Sequence, residues 1–210
     1  MSGSRSGRVG STPRGLSIRP PLVVVGAFVG VRVLVLIALF AAAGHQGRSG
    51  YRVLTKWDAQ WYRGIAEDGY GLVRLHEDGR LLADYAFFPL YPLTERAVSA
   101  VIGLGAVDAG LVISAVASVV AALGIFAIAD GLYGARVGVV ATVLWAALPV
   151  GIVQSMAYSE SLFTALSVWA LHATLRDRWL LAGVLACAAG LTRPVGAAVA
   201  AAVVVAAVAH

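Results

Sequence analysis

Asp58 stands among rings. In the stretch K56-W57-D58-A59-Q60-W61-Y62-R63-G64-I65-A66-E67-D68-G69-Y70, two tryptophans, two tyrosines and three carboxylates gather in a chain otherwise written mostly in Ala, Val, Leu and Gly. At about 100° per residue, a helix over residues 57–70 places Trp57, Trp61, Tyr62 and Ile65 on one face and Gln60, Arg63 and Glu67 on the other. Asp58 then falls between Trp61 and Tyr62. A carboxylate crowded by rings at a membrane surface loses hydration and its pKa rises, which suits a general base. The structural alternative is an amphipathic helix whose aromatics rest in the interface and whose Asp58 caps the first turn. Spacing alone leaves both open.

Three further positions carry charge where charge is costly or directional. Arg32 sits at the centre of an apolar run, where an arginine costs about 2.5 to 3.5 kcal/mol on insertion scales. A carboxylate partner or an anionic ligand such as a lipid phosphate would offset that cost. Arg193, in Leu191-Thr192-Arg193-Pro194-Val195-Gly196, stands beside a proline that unwinds the helix and could offer its guanidinium to a phosphate. Its alternative is snorkelling to the interface. Tyr158-Ser159-Glu160-Ser161 places another acid at a helix start, and taken alone Ser159 and Glu160 form an N-terminal cap signal.

Other chemistries lack a pattern. His45, His76, His172 and His210 have neither metal-ligand spacing nor carboxylates three or four residues on, so no metal site is expected. There is no Walker loop, no G-x-G-x-x-G after a strand and no acid-x-acid triplet, so nucleotide-dependent transfer finds no support. Gly26-x-x-x-Gly30 and Gly134-x-x-x-Gly138 read as helix-packing contacts or turns.

The elements that must hold these residues are apolar helices. Of 210 residues, 60% are hydrophobic and 13% charged, against about 25% charged in an ordinary soluble domain. Apolar runs at Pro21–Ala43, Leu111–Ala129, Val137–Val153 and Leu180–Ala209 approach or exceed the roughly 20 residues that span a bilayer. The expected class is all-α, a polytopic transmembrane bundle. The net charge of +5 does not point to nucleic acid, because its distribution follows the positive-inside bias. Arg5, Arg8, Arg14 and Arg19 precede the first run, and Arg136, Arg176 and Arg178 lie in short connections. The N-terminus is therefore expected in the cytoplasm. The first apolar run is too long for a signal-peptide core of about 7 to 15 residues and reads as a retained anchor. Cys187, the single cysteine, falls in an apolar run and is expected to be a buried small hydrophobe.

Residues 1–20 read as a disordered cytoplasmic tail and 21–210 as a transmembrane domain. Residues 44–85, with six basic and six acidic side chains, form a large loop expected on the extracytoplasmic side. Tyr85-Ala86-Phe87-Phe88-Pro89-Leu90-Tyr91-Pro92 reads as an aromatic segment at headgroup depth. Residues 93–107 suit an interfacial helix and Asp108–Asp130 a full crossing. The next helix is expected to run to about Val153, and the final apolar run to be interrupted at Thr192-Arg193-Pro194.

Taken in order, Arg32, then W57-D58-A59…I65-A66-x-x-G69-Y70, F87-F88-P89-L90-Y91-P92, Y158-S159-E160-S161-L162-F163 and T192-R193-P194-V195-G196 resemble the PIG-V family. That family holds the second GPI mannosyltransferase of eukaryotes and its bacterial relatives, within the GT-C membrane glycosyltransferases, and the resemblance covers about residues 20–200. It implies a polyprenyl-phosphate sugar donor, mannose first, used on the extracytoplasmic side, with no metal or other cofactor. It also implies Asp58 as the base that deprotonates an acceptor hydroxyl, and Arg32, Lys56, Trp57, Trp61, Tyr62, Tyr158, Glu160 and Arg193 as substrate-binding residues. Family members are longer, and the sequence stops inside an apolar run, so an N-terminal fragment is expected. The alternative class is a multi-span transporter, which would also place buried arginines and broken helices around a site but would usually lack a large aromatic and charged loop after its first helix. No motif specifies the acceptor or a protein partner.

The arginine distribution makes a topological prediction. A cysteine at position 76 should react with a membrane-impermeant maleimide applied to intact cells. Labelling only after permeabilisation would reverse the orientation.

Overall fold

The computed structural model describes residues 20–75 and 78–210. The expected tail, except Pro20, lies outside the described residues, as do Arg5, Arg8, Arg14, Arg19 and His76. The described residues are 78% helix and 3% strand, so among them the expected all-α class holds but for one small hairpin. Among the described residues two helices are long and apolar enough to cross a membrane, α1 (Pro20–His45) and α5 (Ala106–Tyr133). At 1.5 Å per residue they extend about 39 and 42 Å, beyond the roughly 30 Å of a hydrocarbon core.

α1 buries a narrow stripe. Val24, Phe28 and Arg32, each four residues apart, are buried, whereas Leu34, Ile37 and Phe40 are exposed. That places Arg32 on the packed side. Gly26 and Gly30 meet nothing within 4 Å of an added Cβ, so they make no packing contact among the described residues, contrary to expectation.

α5 is the centre of the bundle. It packs against α1, against α4 (Leu90–Ile102), against α6 (Ala135–Ala147) and against α7 (Glu160–Thr174). Its buried positions are small, among them Ala109, Gly110, Ala117, Ala121 and Gly124, which lets neighbouring backbones come close. At Gly124 a Cβ would run into Val168 of α7, and the Trp169 indole N–H donates to Val120 O at 3.0 Å.

Two expected crossings are corrected. The helix expected to reach Val153 stops at Ala147, and a 3-10 segment, Pro149–Ser155, leaves it at 83°. The cause is local: Leu148 precedes a proline and is pushed out of the α region, to φ −57° and ψ 133°. The last apolar run reverses instead of continuing past its interruption. α8 (Trp179–Gly190) and α9 (Gly196–Ala209) lie antiparallel, so His210 Nε2 returns to within 3.2 Å of Asp177 and its ring meets Trp179 edge-on at 5.3 Å. A Cβ on Gly196 would collide with the Gly190 backbone, so glycine permits this close return. Cys187 is exposed on α8, not buried, because α8 is covered on one side only, through Ala182, Ala186 and Ala189.

Between α1 and α4 the chain is ordered. It forms α2 (Gly50–Leu54), α3 (Asp58–Asp68) and an antiparallel hairpin of β1 (Val73–Leu75) and β2 (Leu81–Ala83), with Arg74 opposite Leu82. A 3-10 turn, Asp84–Ala86, follows. Buried Asp84 ties this region down by accepting the Gly71 and Leu72 N–H groups, each at 2.9 Å. Arg96 of α4 donates through Nε to Ala66 O at 2.6 Å, fastening the end of α3.

Glu95 on α4 is fully buried, with neither carboxyl oxygen hydrogen-bonded among the described residues. Its carboxyl fills the space over Gly110. Burial, and to a lesser extent Glu67, pushes its pKa up to about 9. The unfolded carboxyl ionises near 4.5, so above that pH the folded state holds a proton that the unfolded state has released. Stability then falls as pH rises, by at most about 1.4 kcal/mol per pH unit, until Glu95 ionises. Glu95→Gln, a neutral isostere, should remove this slope. Thermal unfolding in detergent between pH 5 and 9 should show the wild type losing ground to the variant as pH rises, and parallel curves would contradict the assignment.

Candidate active site

Trp57 is the hinge of the site. It lies outside α3, at φ +52°, a conformation costing a bulky L-residue about 1 to 3 kcal/mol. It does not share a helix face with Trp61 and Tyr62 as its spacing suggested; it is 65% exposed. Several bonds hold this strained corner. The Gln60 side chain donates to Thr55 O at 2.6 Å, the Tyr158 hydroxyl to Lys56 O at 3.1 Å, and the Gln60 N–H to Trp57 O at 3.0 Å. The corner delivers Asp58 as the first residue of α3, half-buried, with no side-chain capping bond. Asp58 is therefore not the N-cap.

α3 buries Ala59, Tyr62, Ile65 and Ala66 and exposes Arg63 and Glu67, which pair at 3.6 Å. Trp61 faces the hairpin, stacked on Phe87 with the Arg74 guanidinium 4.8 Å from its ring. Tyr62 meets Phe87 and Tyr91 edge-on and shares a 2.8 Å hydrogen bond with Ser159. The Ser159 hydroxyl is thus spent on Tyr62, and the expected cap at the start of α7 is not made. Glu160 forms an ion pair with Arg193, which the turn between α8 and α9 carries to it. That turn is fixed by the Leu90 N–H donating to Leu191 O at 2.9 Å.

Electrostatics tie these groups into one centre. Burial raises the pKa of Asp58, and Arg193 partly opposes the rise. Tyr62 is pushed up to about 12, mainly by burial, with Ser159, Glu160, Arg193 and Asp58 acting on it in turn. Tyr158 also reaches about 12, through burial first and the Asp58 charge second. Both phenols stay neutral hydrogen-bonding groups, and Asp58 is the carboxyl in the centre whose pKa burial raises.

The structure brings together Asp58, Tyr62, Tyr158, Glu160 and Arg193. Lys56 and Trp57 instead adjoin a cleft of about 530 Å³, lined also by Arg48, Ser49 and Arg52. Lys56 Nζ is 5.5 Å from the Trp57 ring. None of Arg48, Arg52 and Lys56 pairs with an acid among the described residues. The signal for Arg48 and Arg52 was present in the sequence, three cations spaced by four with no acid between them. Arg32 stands apart, lining a different cavity. Among the described residues no three His, Cys, Asp or Glu side chains gather as a metal site would need.

Helical architecture, two helices able to span a bilayer and an acid centre at the starts of α3 and α7 describe the class to which this chain's structure belongs. No protein-family model, curated protein or solved structure matches it.

Arg193 opposes the rise at Asp58, so Arg193→Gln should move the Asp58 pKa further up. Carboxyl ¹³C NMR of labelled aspartate in micelles reads this directly. Arg63→Gln, on the exposed face of α3, should leave the Asp58 titration where it is.

Proposed function

We propose that this chain is a multi-pass membrane glycosyltransferase of the GT-C type, akin to the PIG-V family, transferring a sugar, mannose first, from a polyprenyl phosphate to an acceptor hydroxyl on the extracytoplasmic side. The observation that carries this reading is the half-buried Asp58, raised in pKa and grouped with Tyr62, Tyr158 and the Arg193–Glu160 pair, one residue after Trp57, which lines a cleft with three cations that pair with no acid among the described residues. In the reaction, Asp58 takes the proton of the acceptor hydroxyl as its oxygen attacks the anomeric carbon. The bond from that carbon to the phosphate oxygen breaks, and configuration inverts. The lipid phosphate leaves with the bonding pair, and in this reading Arg48, Arg52 and Lys56 neutralise it. Tyr62 and Tyr158, both neutral, can donate to or accept from sugar hydroxyls, and the exposed Trp57 offers a ring face to the pyranose or to the headgroup region.

Asp58→Asn keeps shape but removes basicity, so transfer from radiolabelled polyprenyl-phosphate mannose should fall about 10²-fold or more, with donor binding little changed. Glu67→Gln, exposed on the opposite face, should keep most activity. Normal turnover in Asp58→Asn with loss in Glu160→Gln or Asp68→Asn would move the base elsewhere. Retention of activity in all three would defeat the mechanism.

A further inference from the structure

Arg32 is 7% exposed, and all three of its guanidinium nitrogens are buried without a hydrogen-bond partner among the described residues. A snorkelling arginine would have its head in water; this one does not. Its guanidinium lies 5.7 Å from the Phe28 ring and against Gly151, where a Cβ would stand 3.1 Å from Nη1. It lines a cavity of about 340 Å³ between α1, α5 and the 3-10 segment 149–155. The other polar groups of that cavity are Ser118, Gln154 and Ser155, with no acid. Ser118 donates to Ala115 O and Gln154 Oε1 accepts from Ser161, whereas the Gln154 amide nitrogen and the Ser155 hydroxyl make no hydrogen bond among the described residues. Residues with free donors on two elements thus line one cavity, and no acid lines it. Such an arrangement is stabilised by an anion with several acceptor oxygens.

The walls say what carries the anion. Val29 and Val33, 41% and 47% exposed, put one wall of the cavity on the apolar outer surface of α1, and buried Leu54 of α2 lines another side. A lipid whose head occupied the cavity would lay its acyl or prenyl chain over the two valines. The site is separate from the acid centre, because none of Asp58, Tyr62, Tyr158, Glu160 and Arg193 lines the cavity.

We propose that Arg32, Gln154 and Ser155 bind the phosphate head of a membrane lipid, at a second anion site distinct from the Asp58 centre. The test is binding of dioleoyl phosphatidic acid to the purified chain in detergent, read by native mass spectrometry, with inorganic phosphate as competitor. Arg32→Gln should raise the dissociation constant at least tenfold. Ala115→Leu, which fills the cavity and keeps the charge, should do the same and decides the matter if Arg32→Gln does not fold. Lys56→Gln, in the cleft assigned to the leaving phosphate, should bind as the wild type does, and millimolar inorganic phosphate should not displace the lipid. Equal binding by the wild type and Ala115→Leu would overturn the proposal. Displacement by inorganic phosphate would assign the site to the free ion instead of a lipid. Loss of binding in Lys56→Gln would merge it with the cleft of Arg48, Arg52 and Lys56.

Discussion

Close approach to α5 is the constraint on which the remaining structure rests. Helices surrounded by lipid gain little from burying apolar side chains against one another and rely on tight van der Waals fit and shared hydrogen bonds. Ala109, Gly110, Ala117, Ala121 and Gly124 supply the fit. Ser114 supplies the bonds: its hydroxyl meets that of Tyr91 on α4 at 3.1 Å and donates to Tyr158 O at 3.1 Å. Tyr91 also donates to Gly110 O at 3.0 Å. One polar side chain on α5 thus fixes both α4 and the segment leading into α7.

The acid centre inherits its geometry from those contacts. Tyr158 is held by Ser114 through its carbonyl and reaches Lys56 through its hydroxyl, so the α5 packing is passed to the strained corner at Trp57. The Tyr62–Ser159 bond then joins the start of α7 to α3. Arg193 arrives from a third direction, on a turn bonded to the start of α4. Three remote stretches of chain therefore converge on one carboxylate, and each is positioned by backbone carbonyls or buried hydroxyls, not by flexible surface pairs.

Much of this was legible in the sequence and some was not, for identifiable reasons. α1, α5 and the interruption at Thr192-Arg193-Pro194 follow from apolar length and from proline, which act locally. The helical face of Tyr62 and Ile65 against Arg63 and Glu67 followed from periodicity. Trp57 escaped that pattern because periodicity cannot see where a helix begins, and here a positive φ one residue earlier sets the start. The Ser159 signal was correct in type and wrong in partner, since a buried phenol 97 positions away competes with the helix end for the hydroxyl. The reversal of α8 and α9 depends on Gly190 and Gly196 meeting, a tertiary fact with no local signature. Pro149 did announce the bend after Leu148, but the long apolar run around it masked the signal. Glu95 gave no sign of its burial, because the space it fills is created by a missing side chain at Gly110, on another helix.

The return of α9 along α8 makes helix length a determinant of charge placement. Arg193 reaches Glu160 only because α8 ends where it does. Each residue inserted in or deleted from a helix turns everything beyond it by about 100° and shifts it by about 1.5 Å. A single-residue change in α8 would swing the turn away from α7 even with every side chain of the centre intact. Among homologues of this chain, the span from Arg178 to Arg193 should therefore vary in composition far more freely than in number.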